Sequence, residues 1–134
     1  MKKIVFVCVQ NAGRSQMAEA FANFYGKGKV TAFSGGIKLA DKVNPVVVEA
    51  MKEKGIDISG NNPKMLTAEL LNEADLIVMM GCGEKDICPG PFFKPSVDWG
   101  LEDPAGKPID KVREIRDQIE GRVLALIEDM REEC

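Results

Sequence analysis

Apolar residues run almost unbroken through KIVFVCV, residues 3–9, and again through DLIVMM, residues 75–80, as they do in strands covered on both faces. VTAFSGG at residues 30–36 predicts a shorter strand closed by glycines, and Ser96 to Trp99 holds a brief fourth candidate. Between these runs the period turns helical. Residues 14–25 predict a helix with Met17, Phe21 and Phe24 on one face and Gly26 near its stop. In NPVVVEAMKEKG, Asn44 suits a cap, Pro45 the first turn and Gly55 the end. A short helix is expected over residues 63–71. In the last segment Ile109, Val112, Ile115, Ile119, Val123, Ile127 and Met130 form the apolar stripe of a long helix packed on the sheet. Strands alternating with helices predict an α/β fold: a small parallel sheet with helices on both faces. Ligands are then expected at the carboxyl ends of the strands, where Cys8, Cys82 and Trp99 fall. Residues 81–108, rich in Gly and Pro, read mostly as loop.

The length of 134 residues suits a single domain over 1–134, and no repeat or linker divides it. A net charge of −3 gives no basic surplus for nucleic acid. No apolar stretch approaches the roughly 18 residues of a membrane span, and the N-terminal lysines are followed by no small-residue cleavage site. A cytoplasmic monomer, with neither nucleic acid nor membrane as partner, is expected. There is no histidine, so His-based catalysis and zinc sites that need His are excluded. The four cysteines, at 8, 82, 88 and 134, lack the paired CxxC spacing of a four-thiolate zinc site, and no resident metal is expected. A disulfide framework would suit a small secreted domain without a core, which the 45% hydrophobic content argues against. For Cys134 no function is expected, and Trp99 reads as an anchor of its loop on the core.

The chemistry gathers in CVQNAGRS, which lies between the first strand and the first helix. Amides of Cys8, Val9, Gln10, Asn11, Ala12, Gly13, Arg14 and Ser15 can curl round a tetrahedral oxyanion, because the first N–H groups of a helix lack partners and carry the positive end of its dipole. Arg14 closes the ring with a planar fork that binds two oxygens. Gly13 lets the backbone take conformations closed to bulkier residues. The same donors stabilise a thiolate, with Ser15 adding a hydroxyl, so Cys8 is expected to ionise below the roughly 8.5 of a free thiol. Its alternative is an inert buried cysteine beside a solvated arginine.

CVQNAGRSQMAEAF resembles the active-site loop of the low-molecular-weight protein tyrosine phosphatase superfamily, and its QMAEAF continuation is similar to the thioredoxin-coupled arsenate reductase branch. SGG at 34–36, GIDIS at 55–59, DLIVMM and WGLEDPAGK at 99–107 extend the resemblance over most of the chain. It implies a four-stranded parallel sheet and a general acid at Asp103, which spacing alone reads as a turn former before Pro104. It also implies a relay. Cys8 attacks arsenic with Arg14 and the loop holding the oxyanion, Cys82 attacks Cys8 and releases arsenite, and Cys88 attacks Cys82. The resulting redox disulfide, Cys82 with Cys88, is left for thioredoxin or a similar reductant. Ala105 stands where tyrosine phosphatases typically carry a tyrosine, which favours a small inorganic oxyanion such as arsenate or phosphate. With no flavin or nicotinamide motif, no organic cofactor is expected. Some relatives hold a potassium ion near the loop; Asn11, Glu19 and Ser34 match three of its positions, and a lysine, Lys64, stands near the place of the expected aspartate. A phosphatase working through a cysteinyl phosphate, and a non-enzymatic oxyanion-binding or redox-sensing module, remain alternatives.

Overall fold

The computed structural model describes residues 2–80 and 96–132. Cys82, Cys88 and Cys134, and with them the 81–95 part of the loop expected over 81–108, lie outside the described residues. In chain order the elements are β1 (Lys2–Val7), α1 (Arg14–Tyr25), β2 (Val30–Gly35), α2 (Pro45–Lys52), α3 (Ala68–Glu73), β3 (Leu76–Met79), β4 (Ser96–Asp98) and α4 (Ile109–Glu132).

All four strands are parallel, in the order β2-β1-β3-β4. β1 pairs with β2 from Lys2 opposite Val30 to Val7 opposite Gly35, and on its other edge sets Ile4 opposite Leu76 and Val7 opposite Met79. The chain therefore leaves β1 in one direction and returns to its other side. This makes the carboxyl ends of β1 and β3 a switch point, where doubly wound sheets open a crevice. Alternation splits the strand residues between two cores. Ile4, Phe6 and Val78 face α1, α2 and the buried stripe of α4, whereas Val5, Val7 and Ile77 pack with Leu66, Leu70 and Leu71 on the opposite face. Such two-sided cover is why the strands read as continuous apolar runs.

The helices depart from expectation in three places. The third helix begins at Ala68, capped by the Thr67 hydroxyl accepting from the Leu70 amide, and not near residue 63. Residues 64–66 are instead held extended: Gly36 N–H donates to the Lys64 carbonyl and Leu66 N–H to that of Gly36. The second helix stops at Lys52, with Gly55, at φ 77°, lying past its end. Phe24 is more than half exposed although Met17 and Phe21 are fully buried. Beneath the last turn of α1 the space is filled by Val30 and Ile127 against Gly26, so Phe24 lies outside and meets the Tyr25 ring edge-on.

Candidate active site

β1 ends by presenting Cys8, 3% exposed, at the switch point. The loop that follows is fixed from outside through its carbonyls. That of Val9 accepts from the amides of Ile37 and Lys38, that of Gln10 from Ala40, that of Ala12 from Asn44, and that of Gly13 from Met17. The Asn11 carbonyl accepts from Gln16 Nε2. Each planar peptide points its N–H away from its C=O, so anchoring successive carbonyls outward turns the amides of the loop inward. Among the described residues, the amides from Val9 to Gly13 donate to no protein acceptor. Gly13 caps α1 without a side-chain hydrogen bond, leaving that helix's positive end to the same space.

Two close approaches shape the ring. A Cβ on Gly36 would stand 2.8 Å from the Val9 carbonyl oxygen and 3.0 Å from the Asn11 nitrogen, so only glycine lets this strand end pass beneath the loop. For Gly13 the reason differs from the expected one. Its φ of −145° is outside the left-handed region; what excludes a side chain is Pro104, whose Cγ would lie 2.8 Å from a Cβ. The residue that does take left-handed backbone is Asn11, at φ 52°.

Asn11 is also the hub of the side-chain network. Its Oδ1 accepts from Gln16 Nε2 at 2.9 Å and from the Lys64 amide at 2.8 Å, which fixes the carboxamide so that Nδ2 donates to Ser15 Oγ at 2.7 Å. Ser15 Oγ lies 2.7 Å from Cys8 Sγ. A hydroxyl oxygen that already accepts from Asn11 has its own hydrogen left to donate towards the Cys8 sulfur. The sequence placed Asn11 in the loop and among the residues that match a potassium site. Its partners at 16 and 64 were not legible as such, since a carboxamide in a tight turn carries no mark of what it bonds.

Arg14 is 8% exposed at its side chain, and Nη1 donates to Met80 O at 2.9 Å and to Leu101 O at 2.8 Å. The guanidinium thus ties the loop to the end of β3 and to the segment carrying Asp103. Nη2 is 3.9 Å from Asp103 Oδ2. Asp103, 58% exposed, also accepts from the Ala105 amide through Oδ1, so it forms the turn as well as facing the loop. Its neighbour Glu102 pairs with Lys111 and Lys107 on the side of α4, and the Lys111 hydrogen bond holds that carboxyl below its usual range. Trp99 packs on Phe6, its ring centroid 5.8 Å away, and anchors the same segment to the core.

Between loop and segment lies a cavity of about 220 Å³ whose walls include Cys8, Arg14, Asp103 and Pro104, with Asp41 and Lys42 towards the rim. No aromatic residue is among its described walls. The structure thus brings Cys8, Arg14, Ser15 and Asp103 together, while Cys82 and Cys88 fall outside the described residues.

Residues implied for potassium do not fit one. Lys64 Nζ donates to both Glu19 oxygens, at 3.1 and 2.8 Å, Ser34 Oγ donates to Glu19 Oε1 at 3.1 Å, and both acceptor positions of Asn11 Oδ1 are taken. An ammonium occupies the carboxylate that a cation would need.

Fold and loop together define a class: a parallel α/β protein with a phosphatase-type oxyanion loop at its switch point. The chain belongs to the family described as low molecular weight phosphotyrosine protein phosphatase, whose model matches residues 3–134. Among curated relatives, an arsenate reductase of Brevibacillus brevis is 43% identical over 123 residues, 91% of each chain. Among solved structures, an arsenate reductase in the phosphate binding state superposes with a TM-score of 0.87 at 36% identity, covering 97% of this chain and 99% of the other. A thioredoxin-dependent arsenate reductase of Corynebacterium glutamicum gives 0.84 at 35% identity, over 100% of this chain and 64% of that one.

Proposed function

We propose that this protein reduces arsenate to arsenite at Cys8, and that thioredoxin or a similar protein thiol restores it. One observation carries the reading: a buried cysteine at the floor of a ring of inward amides, closed by an arginine that two backbone carbonyls, of Met80 and Leu101, hold in place. Such a ring recognises a tetrahedral oxyanion, and Ala105, a small residue among the described walls of the cavity, favours an inorganic one. The arsenate reductases among its relatives supply the substrate class.

Loop amides and Arg14 hold three oxygens while the Cys8 thiolate attacks arsenic. Asp103, facing the loop, protonates the departing oxygen, which leaves as water. Cys82 then attacks the Cys8 sulfur; the S–As bond breaks, its electron pair stays with arsenic, and arsenite departs. Arsenic gains two electrons and two thiols become the 8–82 disulfide. Cys88 attacks Cys82, frees Cys8, and leaves an 82–88 disulfide that the reducing partner opens by the same exchange.

Single-turnover reaction with arsenate and no reductant, followed by alkylation and peptide mass spectrometry, tests this order. We expect arsenite in solution, Cys8 alkylated, and Cys82 bridged to Cys88. Three free thiols at 8, 82 and 88 would overturn it. The family's name keeps a second reading, a phosphatase acting through a cysteinyl phosphate that water hydrolyses. Cys82→Ser separates the two: arsenate turnover falls to background in a reductase, whereas aryl phosphate hydrolysis needs Cys8 alone and persists.

A further inference from the structure

We propose that Lys64 is a positioning residue for the Cys8 loop and that its ammonium is the loop's resident cation, so that chemistry at Cys8 needs no added monovalent ion. Two contacts carry this. The side chain holds Glu19, whose carboxylate is 11% exposed, through both oxygens, and the backbone amide of the same residue holds Asn11 Oδ1. Pinning Lys64 at one end through Glu19 fixes the amide at the other, and that amide orients the carboxamide that donates to Ser15 beside the Cys8 sulfur.

Charge gives a second reason. Glu19 lies one helical turn after Ser15 on α1, so it is a negative charge close to the place where a thiolate and an oxyanion gather. Unpaired, a buried carboxylate there would repel both. Lys64 neutralises it from the same segment that braces the loop. Lysine 49% exposed at its side chain could be dismissed as a surface residue; its bidentate seat on a buried carboxylate, shared with Ser34 Oγ, argues otherwise.

The proposal deepens the reductase reading and rests on it only for the turnover arm of its test. The main readout is the rate at which iodoacetamide alkylates Cys8 at neutral pH, followed by peptide mass spectrometry, which needs no arsenate chemistry. For the parent, replacing potassium chloride by choline chloride at equal ionic strength should leave both alkylation and arsenate turnover within about twofold. Lys64→Met should slow Cys8 alkylation about tenfold, the scale expected when an opposite charge is lost near an ionising group, while Lys64→Arg keeps most of the parent rate. Lys64→Asp should be slow in choline and recover on addition of potassium, because the ammonium's place is then vacant between two carboxylates. Circular dichroism confirms that each variant is folded, and the salt exchange on the parent needs no variant at all. A parent several-fold faster in potassium than in choline would overturn the proposal, as would a folded Lys64→Met alkylated at the parent rate. If the alkylation pattern holds and the parent reduces no arsenate, the reductase reading fails and the role of Lys64 stands.

Discussion

Asn11 does three things with one side chain and one unusual backbone angle, and two substitutions separate the side chain's part from the backbone's. Asn11→Ala places a residue with no compensating hydrogen bond at φ 52° and leaves Gln16 Nε2, the Lys64 amide and Ser15 Oγ short of a partner. We expect a loss of about 2–4 kcal/mol in denaturant unfolding, together with slower alkylation of Cys8. Asn11→Gly relieves the backbone alone, so it should recover part of the stability and none of the reactivity. Asp103→Asn isolates another single atom's role. Asparagine keeps the acceptor for the Ala105 amide, so stability should change by less than about 0.5 kcal/mol while arsenate turnover drops about 10²-fold or more for want of a proton donor. Cys8, Arg14 and Ser15 were legible because their relation is local, eight residues in one loop. Lys64, the amide behind Asn11, was not: its partner is 53 positions away, and no periodicity records such a bond.

Among the elements, the helix pair α2 and α4 shows an electrostatic clamp that the stripe pattern did not announce. Glu53, the C-cap of α2, receives Arg113 Nη2 at 2.6 Å and Arg116 Nη1 at 2.7 Å, and Arg116 also donates to the Ala50 carbonyl. Hydrogen bonds from Arg113 and then Arg116 lower the Glu53 carboxyl from 4.5 to about 2. Because its pKa in the fold lies below that in the unfolded chain, the clamp contributes fully above pH 4.5 and is lost as pH falls towards about 2. Thermal unfolding across that acid window should therefore separate the parent from Glu53→Gln: the gap is present at neutral pH and closes at the acid end. The apolar stripe of α4 was readable from its spacing, since helical period survives any partner. REIRDQIEGR reads from the same pattern as a solvated face, yet Arg116 in it is 7% exposed, drawn inward by Ala50 and Glu53. The start of α3 was misplaced for a related reason: residues 64–66 have a helical look in sequence but are claimed by Gly36 and Asn11, both distant along the chain.

At the scale of the whole molecule, Arg14 fastens the two halves of the switch point. One nitrogen reaches Met80 at the end of β3 and Leu101 beyond β4, so loop, sheet and the Asp103 segment share a single fastening. Arg14→Lys has no planar fork, so its single nitrogen cannot hold both carbonyls and also two oxygens of a guest. Phosphate, as an oxyanion guest of the proposed ring, should raise the melting temperature of the parent progressively with concentration, and differential scanning fluorimetry should find that rise absent in Arg14→Lys. The parallel sheet and the position of the ring at its carboxyl edge followed from alternation of strands and helices. The way the Asp103 segment closes over the ring did not, because it depends on Gly13 leaving room for Pro104.

A ring whose carbonyls from Val9 to Gly13 are engaged from outside meets its guest with backbone hydrogens and one guanidinium. It measures geometry and charge and not the element at the centre, so under the proposed reading phosphate and arsenate are both its guests. What would tell them apart comes afterwards: arsenic(V) surrenders its oxidation state to sulfur and phosphorus(V) does not, which leaves selectivity to redox chemistry on an undiscriminating receptor.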